Sequence, residues 1–279
     1  MKKITRRSFL AAAGLTAAAL ALTACGGSSS STASSTASSA AASSEAASSS
    51  AAAELTTVEA GKLTMATNAA FPPYEMTTDT GAFEGIDVDT AQAIAEKLGL
   101  ELQIDDMDFD AALLSVQQGK ADIVMAGVTV TDERKAVMDF SDSYATGIQS
   151  IIVPEGSDIA TPDDLAGKKI GTQRGTTGYI YCSDDFGDEN VVAYDDGLTA
   201  VQALNNGQVD AVVIDNAPAQ EFIAANPGLM ILDTSYAEED YAIGMAKGSA
   251  LEDAVNAALE ELKADGTLQS IVDKYITAE

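Results

Sequence analysis

The segment LLSVQQGKADIV at positions 113–124 recurs in altered form as VQALNNGQVDAV at positions 201–212. In both copies a helical pattern of apolar residues runs into a glycine, Gly119 or Gly207, and a short apolar segment follows. This order predicts a helix, a glycine stop and a buried strand. Two αβ units can also resemble each other by chance. If the repeat is real, the chain contains two similar open α/β sheets.

Strand and helix patterns alternate on both sides of these copies. Lys62–Thr67 predicts a strand, Val88–Leu98 predicts a helix that ends at Gly99, and the alternating apolar residues of 100–104 predict another strand. Strands in the second half are predicted at Lys168–Thr172, Val191–Tyr194, Ala211–Ile214 and Met230–Leu232. Such alternation is typical of mostly parallel sheets with helices on their faces.

Two lobes follow from this organisation. We predict one lobe from residues 61–149 together with 243–279, and the other from residues 150–242. The chain would cross between them near Thr146–Ser150 and near Asp240–Gly244, which predicts a hinge of two crossings. Open sheets bind ligands beyond the carboxyl ends of their strands. The repeat puts residues 126–129 at that position in the first lobe, and Asp215 and Asn216 in the second.

Composition excludes several classes of function. The chain has 279 residues, with 43 acidic and 15 basic side chains, and therefore lacks the clustered Lys and Arg that nucleic-acid binding requires. It contains no histidine and only two cysteines, Cys25 and Cys182. The commonest metal ligand and the usual general base are thus missing, and no nucleotide-binding motif is present. We expect no metal, no cofactor and no enzymatic activity.

The amino-terminal part predicts export and membrane anchoring. Residues 1–25 have a basic start and a short apolar stretch, which is typical of a signal peptide, and LTAC at 22–25 resembles a lipobox that would place a lipid on Cys25. TRRSFL at 5–10 resembles a twin-arginine signal, although a general secretion signal that contains two arginines accounts for it equally. Residues 26–60, rich in Ser and Ala, predict a disordered tether. We expect a lipid-anchored protein on the extracytoplasmic face.

From residue 62 onward the chain resembles the polar amino-acid solute-binding proteins of ABC importers, which have the two-lobed type II periplasmic-binding fold. The resemblance rests on segments that occur in a fixed order: ATNAAFPPYE at 66–75, FEGIDVD at 83–89, AGVTVTDERK at 126–135, DFS at 139–141, GTT at 175–177, DNA at 215–217 and ADGT at 264–267. It implies a monomer that closes around one free amino acid and delivers it to a transporter permease.

The resemblance also assigns roles to individual residues. Arg134 would grip the ligand carboxylate with help from Thr129 and Thr176, Gly127 would allow close backbone approach, and Asp215 would accept from the ammonium group. Asp215 could also cap the helix that follows it. Phe71 and Phe109 would enclose the ligand side chain. The complete predicted set of ligand-binding residues is Asn68, Phe71, Phe109, Ala126, Gly127, Thr129, Arg134, Gln173, Thr176, Thr177 and Asp215.

The identity of the ligand stays open at this point. Relatives that bind basic amino acids often carry an acidic residue where this chain has Asn68, which favours a neutral polar ligand such as glutamine. Asp215, Asn216, Ala217 and Glu221 resemble arginine-binding relatives, so a basic ligand comes next, while Arg174 would favour an acidic one. Two alternatives to transport are an enzyme similar to cyclohexadienyl dehydratase and a sensory ligand-binding domain.

Overall fold

The computed structural model describes residues 55–276; the predicted signal peptide, Cys25 and most of the predicted tether lie outside this range. The first lobe is built from β1 (Lys62–Thr67), β2 (Ala70–Phe71), β3 (Glu75–Thr77), β4 (Phe83–Glu84), α1 (Ile86–Leu98), β5 (Glu101–Asp106), α2 (Phe109–Gln117), β6 (Ile123–Val124), α3 (Asp132–Lys135) and β7 (Met138–Phe140).

The second lobe is built from β8 (Ala145–Pro154), β9 (Ile170–Gln173), α4 (Thr177–Phe186), β10 (Val191–Tyr194), α5 (Gly197–Asn205), β11 (Ala211–Asp215), α6 (Asn216–Ala225), β12 (Leu229–Ile231) and β13 (Ala237–Tyr241), with short 3₁₀ helices at Pro162–Leu165 and Asp188–Asn190. The chain then returns to the first lobe through β14 (Gly244–Ala246), α7 (Glu252–Ala264) and α8 (Thr267–Tyr275).

Each lobe has one main sheet, and both sheets are mixed. The strand order is β5-β1-β6-β14-β7 in the first lobe and β10-β9-β11-β8-β12 in the second, where β13 also pairs with β8. The predicted parallel pairing holds for β5, β1 and β6 and for β10, β9 and β11. The strands next to the crossings, β8 and β14, run antiparallel to their neighbours β11 and β6.

The structure confirms the repeat. Gly119 and Gly207 both end a helix with positive φ, at 65° and 67°. In each copy the next residue donates its N–H to a carbonyl of the preceding helix at 2.9 Å. The aspartate of each copy then accepts a backbone hydrogen bond at 2.8 Å: Asp122 from the Thr64 N–H in β1, and Asp210 from the Lys169 N–H immediately before β9. The same αβ unit therefore builds both lobes.

The two crossings pair with each other as a ribbon. β8 and β13 run antiparallel from Ala145 opposite Tyr241 to Gln149 opposite Ala237. The second predicted crossing, near Asp240–Gly244, lies between two strands, because β13 ends at Tyr241 and β14 begins at Gly244. Since β8 already belongs to the second sheet at residue 145, the predicted division between the lobes at 149/150 falls inside this strand.

Apolar residues pack on both faces of each main sheet. In the first lobe, α1, α7 and α8 cover one face and α2 covers the other. In the second lobe, α5 and α6 cover one face and α4 covers the other. Within residues 55–276, no helix combines the length and apolar character that crossing a bilayer requires. Each lobe is thus a three-layer α/β unit with its own core.

The packed part of the chain begins before the predicted end of the tether at residue 60. Leu55 packs against the core of the first lobe, and the Val58 N–H donates to Asp122 Oδ1 at 2.7 Å. The tether prediction rested on Ser and Ala content, which does not report a contact that a single apolar residue and one backbone group can make. Residues 55–60 are therefore part of the first lobe.

Replacing Asp122 tests how strongly this carboxylate holds the lobe. It is buried and accepts from the Val58 and Thr64 N–H groups, so Asp122→Ala should lower the free energy of unfolding by about 3 kcal/mol. The equivalent Asp210→Ala leaves one N–H unpaired at an exposed site and should cost about 1 kcal/mol. Urea unfolding measures both values; equal losses would contradict this prediction.

Candidate functional site

One cavity lies between the lobes and brings the predicted residues together. It is narrow, with a volume of about 30 Å³. All eleven residues that the sequence predicted as ligand-binding line it. Five further residues line it that the sequence did not single out: Glu75, Gln149, Val213, Ile214 and Tyr241.

Arg134 enters the cavity from the first lobe and is 8% exposed. It lies in the short helix α3, whose first turn is capped by the Thr131 hydroxyl. Its guanidinium donates to the Thr129 carbonyl at 2.7 Å and to the Gly175 carbonyl of the second lobe at 3.2 Å, and it lies 5.4 Å from the ring centre of Phe109. Among the described residues these contacts use two of its five N–H groups. Burial lowers the pKa of Arg134.

Glu239 is a buried carboxylate beside this arginine that the sequence analysis missed. Its Oε2 atom accepts from the Thr129 hydroxyl of the first lobe at 3.0 Å and from the Thr177 hydroxyl of the second lobe at 2.9 Å. Gln149 Nε2 donates to the same oxygen at 3.1 Å. Nothing in the sequence of β13 distinguishes Glu239 from an exposed glutamate. Only its contacts with Thr129 and Thr177 show that its side chain is buried between the lobes.

The two predicted threonine donors therefore have other partners. The Thr129 hydroxyl donates to Glu239, and the Thr176 hydroxyl donates to the Gln173 carbonyl at 2.8 Å while it caps α4 by accepting from the Tyr179 N–H. A hydroxyl has one hydrogen, so neither is left to donate to a carboxylate. The first backbone N–H groups of α4 remain as donors there, and a helix amino terminus favours negative charge.

Asp215 faces the cavity from the end of β11 and is 2% exposed. Its Oδ2 atom accepts from the Tyr241 hydroxyl at 2.7 Å and from the Ile148 N–H at 2.8 Å, while Oδ1 accepts from the Ala217 N–H at 3.1 Å. The last contact caps α6, as the sequence allowed. Burial raises the pKa of Asp215 to about 6, and the three donors limit this rise. The side chain is thus mostly ionised at pH 7.

Two glycines leave space for the Asp215 carboxylate and for the ring of Phe71. A Cβ on Gly147 in β8 would lie 2.6 Å from Asp215 Oδ2, and a Cβ on Gly127 would lie 2.9 Å from the ring of Phe71. Gly127 also has a φ of 53° and donates its N–H to Asp87 at 3.0 Å. Side chains at these positions would displace the groups that line the cavity.

Asn68 and Gln173 meet across the opening between the lobes. Gln173 Nε2 donates to Asn68 Oδ1 at 2.8 Å, and Asn68 Nδ2 donates to the Met107 carbonyl at 3.0 Å. Arg174 does not line the cavity; it lies outside, 3.5 Å from Asp195, in a shallow cleft shared with Asp108 and Asp110. Its position gives no support to an acidic ligand.

The hydroxyl of Tyr241 should set the charge state of Asp215. Removing it in Tyr241→Phe takes away a donor to the ionised form and should raise the pKa of Asp215 by about one pH unit or more. Carboxyl carbon NMR titration measures this value. Tyr236→Phe removes an equivalent 2.7 Å hydrogen bond to Asp185 and is the matched control. An unchanged Asp215 titration in Tyr241→Phe would contradict the assignment.

Comparison with known proteins agrees with this architecture. The L-cystine-binding protein TcyJ of Escherichia coli strain K12 is 33% identical over 226 residues, which cover 79% of this chain and 85% of TcyJ. A solved ancestral arginine-binding protein bound to arginine is 42% identical with a TM-score of 0.74, covering 77% of this chain and 98% of that one. An ancestral arginine-binding protein bound to glutamine is 41% identical with a TM-score of 0.74, covering 78% and 99%. Residues 63–278 match the bacterial extracellular solute-binding proteins, family 3, and the chain belongs to that family.

Proposed function

We propose that this protein captures one free polar L-amino acid between its lobes and delivers it to an ABC transporter permease. The observation that carries the proposal is that a buried cation, Arg134, and a buried anion, Asp215, line one cavity from opposite lobes. An α-amino acid carries a carboxylate and an ammonium, and both need charged partners when they leave water. Family membership and relatives named for amino-acid binding support the same conclusion.

In this proposal Arg134 and the first N–H groups of α4 bind the α-carboxylate, and Asp215 accepts from the α-ammonium. A planar guanidinium can hold both carboxylate oxygens at once. Because Arg134 belongs to the first lobe, and α4 and Asp215 belong to the second, the ligand binds the closed arrangement more tightly than an open one. That difference in affinity is what would drive hinge closure.

The side chain of the ligand is the finer question. The sequence favours glutamine because Asn68 is neutral, with a basic amino acid such as arginine next. In the structure Asn68 is already bonded to Gln173 and Met107, so its neutrality says little about the ligand. The additional carboxylate in the cavity, Glu75, instead favours a basic side chain. Because Asp215 would bind the α-ammonium, Glu75 is the acidic group of the cavity that is left for the ligand side chain, and we therefore propose arginine ahead of glutamine.

Residues outside the described range enter the proposal through the sequence alone. We propose that the signal peptide is cleaved on the amino-terminal side of Cys25 and that Cys25 then carries a lipid. We also propose that the following segment tethers the lobes to the extracytoplasmic face of the membrane, and that the protein acts as a monomer without enzymatic activity. The family's description as extracellular solute-binding proteins supports export and transport.

Replacing Arg134 tests the central contact. Arg134→Ala should weaken amino-acid binding by about 100-fold or more, because two charge-assisted hydrogen bonds are lost. Calorimetry with L-arginine and L-glutamine, on protein freed of bound ligand by unfolding and refolding, measures the affinity. Arg174→Ala is the control; it removes an arginine outside the cavity and should change affinity less than about threefold. Unchanged affinity in folded Arg134→Ala would remove the proposal.

Gly175 tests whether binding requires the lobes to close. It has a φ of 74°, and a Cβ there would lie on top of the Asp110 carboxylate of the first lobe. Gly175→Ala should therefore weaken binding about tenfold, beyond the backbone strain that any alanine suffers at this φ. Gly207→Ala introduces the same strain at a φ of 67° with nothing within 4 Å, and should leave affinity unchanged.

The clash can also be relieved from the other side. Adding Asp110→Ala to Gly175→Ala should restore most of the affinity, since the second substitution removes the atoms that the new methyl group meets. The same calorimetric titrations give the affinities of the wild-type protein, Gly175→Ala, Gly207→Ala and the double variant. The prediction is wrong if Gly175→Ala and Gly207→Ala have the same affinity, or if the double variant regains none; closure then does not bring Gly175 against Asp110.

A further inference from the structure

Glu75 is a buried carboxyl group that receives no hydrogen bond from any donor among the described residues. It begins β3, lines the cavity and is 1% exposed. Neither of its carboxyl oxygens has a hydrogen-bond partner among residues 55–276. An ionised carboxylate removed from water without donors is strongly destabilised, so this side chain needs either a proton or a cation.

A second carboxylate, Asp87 of α1, lies within side-chain hydrogen-bonding reach of Glu75. Asp87 already accepts from the Gly127 N–H at 3.0 Å and from the Tyr144 hydroxyl at 2.7 Å. These donors stabilise Asp87 as the anion, while Glu75 has none. Two ionised carboxylates have no hydrogen to share, so a proton on Glu75 is what joins them.

The other charged groups near Glu75 do not replace that proton. Asp106 of β5 adds negative charge, and burial together with Asp87 raises the pKa of Glu75 well above its usual range. Burial raises the pKa of Asp87 to about 6. Tyr74 and Tyr144 also lie near the Glu75 side chain, Glu84 lies on the neighbouring strand β4, and Asp215 and Arg134 line the same cavity. Arg134 is the only cation among the cavity-lining residues, and it already contacts two carbonyl groups.

We propose that Glu75 holds a proton until a ligand enters, and that a cationic ligand side chain displaces this proton to solvent. The inference rests on the proposed amino-acid binding. The O–H bond of Glu75 breaks, its electron pair stays on the carboxylate, the proton passes to water or buffer, and a carboxylate–cation pair forms. A neutral side chain leaves the proton in place, because it brings no positive charge to compensate an ionised carboxylate. Glu75 therefore determines specificity by its protonation state.

Proton counting by calorimetry tests the inference. L-Arginine is compared with L-citrulline, which carries a neutral urea of nearly the same shape, and with L-glutamine. Each is titrated into the full-length protein at pH 7 in phosphate and in Tris, whose ionisation enthalpies differ. The difference in heat gives the protons released per ligand. We expect about one for arginine and none for the neutral ligands, whose α-groups are the same as those of arginine.

Substitution identifies the source of the proton. In Glu75→Gln the proton released with arginine should disappear, and arginine affinity should fall at least tenfold while the affinity for the neutral ligand changes less than about threefold. Glu84→Gln is the matched control, since it makes the same change in the same small sheet outside the cavity. If Glu75→Gln does not fold, the pH dependence of the wild-type protein decides. At pH values below the Glu75 pKa, each increase of one pH unit should raise the arginine affinity up to tenfold relative to the glutamine affinity.

Several results would overturn the inference. Equal proton counts for arginine and the neutral ligands would do so, as would an arginine proton count that persists in Glu75→Gln, or binding of glutamine without arginine. A protein that binds none of these amino acids would instead refute the proposed function itself. The two failures are thus separated by the wild-type titrations alone.

Discussion

The buried guanidinium of Arg134 is the contact on which the rest of the site depends. A charge that is 8% exposed must be compensated, and two backbone carbonyls, one from each lobe, do this only in part. The remaining N–H groups of Arg134 can donate to an anion, and the amino terminus of α4 offers N–H donors to the same anion from the opposite lobe. The position of one side chain thus links the chemistry of the ligand to the approach of the lobes.

The carboxylates around the cavity differ in how they are satisfied. Asp215 has three donors, Asp87 has two, Glu239 has three on one oxygen, and Glu75 has none among the described residues. Hydrogen bonds from donors favour the ionised form of a carboxyl group, and Asp215 is the one of these groups that both has such donors and lines the cavity. A carboxyl group without donors, such as Glu75, can change its protonation state with the ligand that enters the cavity. The wall of one cavity therefore contains both permanent charge and charge that responds to the ligand.

Much of this arrangement could be predicted from the sequence, because glycine and apolar spacing are local signals. Gly99, Gly119 and Gly207 end helices where the patterns indicated, and the duplicated αβ unit is real. The roles of Thr129 and Thr176 could not be predicted, since the acceptors of their hydroxyl groups are set by three-dimensional packing. Glu239 is 110 residues from Thr129 in sequence, and Glu75 gives no local sign of being buried. Long-range contacts of this kind have no periodicity to reveal them.

The ribbon of β8 and β13 brings the two ends of the second lobe together. Ala145 and Tyr241 are partners in an antiparallel ladder, so the two points where the chain enters and leaves the second lobe are only about 5 Å apart. The second lobe is thereby an insertion whose ends meet, inside a first lobe that holds both the earliest and the latest described residues. Such a segment can be exchanged as a cassette between related proteins, with one junction on each strand of the ribbon.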